Sequence, residues 1–380
     1  MINKAMTEEL ELYLHIPFCL KKCSYCDFLS FQGNEAEREA YTEALLKEIS
    51  AYKEFALEYE VTSVFLGGGT PSILNASQME RIMESLRQTF SIRKLGEITI
   101  EANPGTLNRD KLRAYRSMGI NRLSMGLQSF KNEDLKCLGR IHTCEVFAEN
   151  YEQARNAGFT NINIDLMSGI PYQTLQGWEE NLRQAVKLAP EHISAYSLII
   201  EEGTPFYRQK LTLPPEEEER AMYELTHNLL REHGYLQYEI SNYAKPGYAC
   251  RHNVGYWKRK NYLGLGLGAA SLIREVRFSN TSDWTWYLEH SSDPWKIHSQ
   301  TEALDEKKQM EEFMFLGLRL TEGIGRQDFI HAFHKNIEDV YKQPIDKYLS
   351  LGLLEAQNGR IFLTREGISL SNMVMSDFLL

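Results

Sequence analysis

From residue 10 to residue 233, short apolar or β-branched runs alternate with segments of helical spacing. The runs "ELYLHI", "VTSVFLGG", "EITIEAN", "RLSMGLQ", "NINIDLMSG" and "HISAYSLII" are bounded by Gly, Pro and Asn and read as six strands. After the first of them, Tyr41, Leu45, Ile49 and Tyr52 recur at spacings of four, four and three, which lines one apolar face of a helix. The sixth helix follows "PPEEEER", where prolines and clustered acids suit a helix N-terminus, so the glutamates read as a solvated helix start and not as a metal site. Strand-helix units in this order predict a parallel sheet, because parallel neighbours need crossover helices, and right-handed crossovers curl such a sheet toward a barrel. The expected fold class is α/β, with functional groups at the C-terminal ends of the strands.

The domain that carries this rhythm is expected to span residues 1–240. The rhythm breaks afterwards, with five aromatics from Tyr235 to Tyr256 and glycines at 264, 266 and 268, and residues 241–300 are expected to be a connecting region. "YLGLGLGAAS" formally contains G-x-G-x-x-A, but the preceding "WKRKN" is no buried strand, so close packing is a better account than a dinucleotide site. Residues 301–380 suggest helices and a two-stranded hairpin turning at Asn358-Gly359, a smaller winged-helix-like α+β domain. With 9 basic and 13 acidic side chains, that domain is not expected to read DNA.

Composition narrows the partners. The 380 residues carry 42 Lys and Arg against 52 Asp and Glu, a net charge of -10, which disfavours a nonspecific grip on nucleic acid. Of six cysteines, Cys19, Cys23 and Cys26 crowd together while Cys137, Cys144 and Cys250 are scattered, unlike a disulfide framework, and a reducing cytoplasm is the expected home. No apolar segment precedes the cysteines and no run of about 18 apolar residues occurs later, so neither a signal peptide nor a membrane span is expected.

The chemistry concentrates in "YLHIPFCLKKCSYCDFLSF", where C-x3-C-x2-C directly follows the first strand. Three thiolates in one loop can hold three irons of a cubane, whose usual protein ligation takes four cysteines, leaving one iron open to a ligand. The alternative is zinc, with His15 or His142 completing a Cys3His set. "FLGGGTPS" after the second strand supplies glycines that let backbone N–H groups approach a carboxylate, and it lacks the Gly-Lys-Ser or Gly-Lys-Thr ending of a phosphate loop.

The cysteine motif with Tyr25 before Cys26, followed by GGGTP, resembles the signature of radical S-adenosylmethionine (SAM) enzymes. More closely, "HIPFC", "GGGTPS", "EANP", "GLQSF", "LGRIHT" and "NIDLMSGIP" follow, in order, the oxygen-independent coproporphyrinogen III oxidase group. The resemblance implies a radical SAM partial (β/α)6 barrel with a 4Fe-4S cluster on Cys19, Cys23 and Cys26. It also implies SAM contacts at Tyr13, Gly68, Gly69, Thr70, Glu101, Gln128, Arg140 and Asp165. These types suit the task, since carboxylates accept from an ammonium or ribose hydroxyls and arginine binds a carboxylate bidentately.

Within that group the oxidase carries a further cysteine two residues after the third, where this chain has Phe28, and a longer N-terminal extension than the 18 residues before Cys19. "CRHNVGYW", residues 250–257, is instead similar to the H-N-x-x-Y-W motif of the HemW group. That resemblance implies a heme chaperone that binds heme and passes it to membrane-associated cytochromes. His252, Asn253, Tyr256 and Trp257 are then the candidate heme residues, with His252 or Cys250 as axial ligand and the aromatic rings as porphyrin faces. The alternative for the motif is a His-Asn pair that hydrogen-bonds a loop against two core aromatics. The competing function is coproporphyrinogen decarboxylation.

Overall fold

The computed structural model describes residues 7–380. Strands β1 (Glu8–Ile16), β2 (Tyr59–Gly68), β3 (Ile92–Ala102), β4 (Arg122–Gln128), β5 (Ile162–Ser168) and β6 (His192–Ser197) pair in parallel and in chain order. Helices α1 (Glu35–Ala51), α2 (Ala76–Thr89), α3 (Arg109–Ser117), α4 (Asn132–Cys137), α5 (Cys144–Asn156) and α6 (Leu175–Lys187) occupy the connections, and α7 (Glu216–Glu232) follows β6. The six expected strands are all present. Residues on β1 show why the sheet curls: Leu10, Leu12, Leu14 and Ile16 are fully buried in the core on one face, while Glu11, Tyr13 and His15 alternate onto the other.

On α1, the face inferred from spacing is the one that packs, with Tyr41, Leu45 and Ile49 fully buried. Its start is fixed by a capping box, in which Asn34 accepts from the Glu37 amide at 3.0 Å and Glu37 accepts from the Asn34 amide at 2.7 Å. Such a cap is worth about 1 kcal/mol. Pro215 and Glu216 to Glu219 open α7, and Glu218 also accepts from the Leu175 amide at 2.8 Å, which ties α6 to α7.

Residues 241–300, expected as a connecting region, extend the barrel sheet at both edges. Strands β7 (Leu236–Glu239) and β8 (Asn242–Ala244) add antiparallel strands beyond β6. Strand β9 (Tyr262–Leu265) runs parallel to β1, and β10 (Ala270–Ile273), β11 (Val276–Asn280) and β12 (His298–Ala303) continue outward antiparallel, giving a 12-stranded sheet. These strands are three to six residues long, too short to show a clear period of two. Glu48 of α1 locks the extension in place, accepting from Gly266 N (2.9 Å), Asn280 Nδ2 (2.7 Å) and the Tyr287 hydroxyl (2.6 Å).

The C-terminal domain has its own core, including Met314, Phe329, Ile337, Tyr341 and Ile361. Strands Leu354–Gln357 and Arg360–Leu363 form the expected hairpin about Asn358 and Gly359. The domain docks through main-chain bonds from Ile240 N to Arg319 O (3.2 Å) and from Thr321 N to Tyr238 O (3.1 Å). The Arg319 guanidinium also sits 4.3 Å from the centroid of the Trp257 ring.

Candidate functional site

The three-cysteine loop is held by main-chain bonds from neighbouring units of the barrel. Cys19 N donates to Phe31 O (2.9 Å), Ser24 N to Leu138 O (3.0 Å), and Phe206 N to Ser24 O (2.9 Å), so segments following β4 and β6 both clamp it. Cys19 Sγ lies 3.5 Å from Thr70 Oγ1, and Arg140 Nη1 donates to Cys23 Sγ at 3.5 Å. Burial pushes the Cys26 thiol up to about 11. All three sulfurs border one cavity of about 440 Å³.

The donor set fits a cluster better than a single ion. Among the described residues, no three His, Cys, Asp or Glu side chains are arranged around one metal position. Both histidines considered for zinc are engaged elsewhere, since His15 Nε2 donates to Leu29 O (2.8 Å) and His142 Nε2 donates to Leu127 O (3.2 Å). Three soft thiolates spread along a loop match three corners of a cubane.

Seven of the eight residues expected to contact SAM border the same cavity: Gly68, Gly69 and Thr70 on one side, Glu101 on the next strand, then Gln128, Arg140 and Asp165. Gly68 has φ +107°, and a Cβ there would come within 2.7 Å of the His15 ring, so both conformation and space require glycine. Gln128 has φ 76° at a register shift where β4 meets β5, a strained position from which it borders the cavity. Burial raises the Glu101 carboxyl to about 8, with the Asp165 charge adding to the shift, and burial raises Asp165 as well. Arg140 is committed, donating through Nη2 to Asn103 Oδ1 at 2.6 Å and to the Gly126 carbonyl. Tyr13 stands behind this wall: its hydroxyl donates to His15 Nδ1 at 3.1 Å, because Nε2 already carries the proton.

The H-N-x-x-Y-W residues form helix α8 (Arg251–Trp257), which lies well below the cluster loop, inside the barrel near the N-terminal halves of its strands. The Glu97 carboxylate on β3 accepts from the amides of Arg251 (3.1 Å) and His252 (3.4 Å) and from the Cys250 thiol (3.4 Å). His252 is 1 % exposed, with Nδ1 2.9 Å from Ser63 Oγ and Nε2 3.0 Å from the Tyr256 hydroxyl. Burial lowers its pKa to about 3 and raises that of Glu11, 3.6 Å from Nδ1, to about 8. Gly255 packs so tightly on Glu11 that a Cβ would collide with the carboxylate. Of the motif, Asn253 alone borders the cavity, whereas Trp257 faces the C-terminal domain. The geometry matches the hydrogen-bonding alternative for His252, since both ring nitrogens are occupied and Cys250 is fully buried.

Several cavity residues escaped the sequence reading. Arg122, Ser124, Asn163 and Ser194 all border it. Asn163 donates to Ser124 Oγ (2.8 Å) and Asp165 Oδ1 (2.7 Å) and accepts from His192 Nδ1 (2.6 Å). The available signal was alternation: polar residues two apart in "RLSMG" and "NINID" share the inward face.

Comparison with known proteins settles the family. The Radical SAM superfamily matches residues 13–185, and the HemN C-terminal domain matches residues 304–370. Heme chaperone HemW of Lactococcus lactis subsp. lactis (strain IL1403) is 36 % identical over 372 residues, 97 % of each chain. Heme chaperone HemW of Escherichia coli (strain K12) is 37 % identical over 368 residues, 93 % of this chain and 96 % of the relative. The chain belongs to the HemW family. Among solved structures, the coproporphyrinogen III oxidase HemN from Escherichia coli, a radical SAM enzyme, superposes with a TM-score of 0.86 at 25 % identity over 98 % of this chain and 90 % of that one. The radical SAM core is therefore the one that the motifs imply, and the match to the HemN C-terminal domain falls within the smaller domain of residues 301–380.

Proposed function

We propose that this HemW family member binds heme, holds SAM against a 4Fe-4S cluster on Cys19, Cys23 and Cys26, and delivers heme to membrane-associated hemoproteins such as cytochromes, working in the cytoplasm. One observation carries the reading: three cysteines from the loop after β1 and seven polar or glycine positions from the β2 to β5 units meet around one cavity. When bound, such a cluster supplies a coordination position for an amino-acid ligand and a one-electron couple. The chain's own part is to bind and orient. Gly68 and Gly69 admit a close ligand, Glu101 and Asp165 accept hydrogen bonds, and Arg140 supports the Cys23 sulfur.

A flat apolar ligand finds matching surface at the same end of the barrel. Phe28 (62 % exposed) lies in the cysteine loop and borders the cavity, while Ile141, Tyr172 and Ile199 are exposed in loops after β4, β5 and β6. Of the four candidate heme residues, Asn253 can face such a ligand directly. His252, Tyr256 and Trp257 support the helix beneath it. No described helix is long and apolar enough to cross a membrane, so contact with a membrane-bound recipient would be peripheral.

The likeness to HemN over nearly the whole chain favours a second reading, porphyrinogen decarboxylation. Both are decided on one anaerobically reconstituted sample by heme titration and by conversion of coproporphyrinogen III to protoporphyrinogen IX. Heme binding without conversion is expected, and robust conversion would transfer the chain to the oxidase function.

A further inference from the structure

Arg122 opens β4 and is 2 % exposed, yet no hydrogen bond or ion pair joins its guanidinium to any described residue, and its Nε is sealed away without a partner. The side chain borders the cluster cavity. Its registered neighbour on β3, Thr99, is fully buried and its hydroxyl is also unpartnered. A charged donor taken out of water is stable only when something accepts from it. Two other nitrogen donors that border the cavity are already engaged, Arg140 with Cys23, Asn103 and Gly126, and Asn163 with Ser124 and Asp165. Burial acts against the charge on Arg122, but the nearby Glu97 and Asp165 carboxyl groups favour it, and the guanidinium stays protonated.

Position separates this donor from the cluster. Arg122 stands six residues before Gln128 on β4, roughly 20 Å along the strand from its cluster end. A carboxylate bound there is not one that chelates an open iron. The fork geometry of a guanidinium, with its donors in one plane, suits a carboxylate bidentately.

Resting on the reading that this cavity takes SAM and heme, we propose that Arg122 is a carboxylate receptor at the cavity floor, a binding position separate from the cluster loop. The carboxylate is a heme propionate, since that of SAM belongs at the cluster.

The test uses the full chain with its cluster reconstituted and measures dissociation constants for heme, heme dimethyl ester and SAM in the wild type, Arg122→Gln and Arg122→Lys. If a propionate is the source, the wild type binds heme about tenfold more tightly than the ester, Arg122→Gln removes that difference, and Arg122→Lys restores part of it. SAM affinity is expected to be the same in Arg122→Gln as in the wild type, and an about tenfold loss of SAM affinity with an unchanged heme-to-ester ratio would overturn the propionate receptor. Wild-type binding of heme and SAM with no ester discrimination and no loss in Arg122→Gln overturns the receptor and leaves the broader function standing. Failure of the wild type to bind either ligand overturns both. Should Arg122→Gln not fold, the heme-to-ester ratio in the wild type and in Arg122→Lys decides.

Discussion

Arg140 Nη1 points at Cys23 Sγ across 3.5 Å, joining the loop after β4 to the cysteine loop after β1. A guanidinium at this distance screens the negative charge that a sulfur-bound cluster brings. Arg140→Ala should therefore bind SAM about tenfold more weakly and lose cluster faster to a chelator, as the loss of one charge-assisted hydrogen bond would give. Absorbance of the reconstituted cluster with time measures it. An unchanged decay and unchanged SAM affinity would show that Arg140 serves only Asn103 and Gly126.

Each of Cys19→Ala, Cys23→Ala and Cys26→Ala should abolish the cluster chromophore, because two thiolates leave a cubane with too few anchors. Uptake should also depend on pH. With the Cys26 thiol held near about 11 in the apo protein, iron must displace a proton, so cluster affinity should rise as pH rises from 7 toward 9. Reconstitution yields that do not vary with pH would contradict this.

Glu101 ties stability to function. Its carboxyl titrates near about 8 in the fold against 4.5 in the free side chain, chiefly through burial. The protonated form contributes stability that is fully present below pH 4.5 and is lost as pH rises through about 8. Glu101→Gln, which cannot ionise, should melt a few degrees higher than the wild type at pH 9 and should bind SAM more weakly. Scanning calorimetry across pH and a SAM titration check the two halves, and parallel melting curves at all pH values would count against the buried-carboxyl account.

His252→Ala should act on the fold first. Removing the ring leaves Ser63 and Tyr256 without their partners, an expected loss of about 2–3 kcal/mol. The melting temperature should fall while the Soret maximum of bound heme stays in place. A displaced Soret band would show that the imidazole leaves its two hydrogen bonds to reach iron.

The barrel was legible because its signals are local. Six apolar runs with glycine and asparagine ends, and the 4-4-3 spacing from Tyr41 to Tyr52, dictate strands and helix before any long-range contact forms. The site was legible for a similar reason, since Cys19, Cys23 and Cys26 occupy one loop and Gly68 to Thr70 another. Residues 241–300 were not, because β8 is three residues long and draws its stability from the edge of β6. The placement of His252 was hidden too. A histidine between an arginine and an asparagine looks the same in sequence whether it faces a ligand or Ser63, and only the stacking of α8 beneath the cavity distinguishes them. Arg122 escaped for the same reason, because nothing in "RLSMG" by itself tells which face of β4 turns toward a cavity.

Because Glu97 pins the start of α8 and Arg319 of the C-terminal domain packs on Trp257 at its end, the helix that brings Asn253 to the cavity is braced from both sides, and whatever the cavity holds rests on a fixed floor.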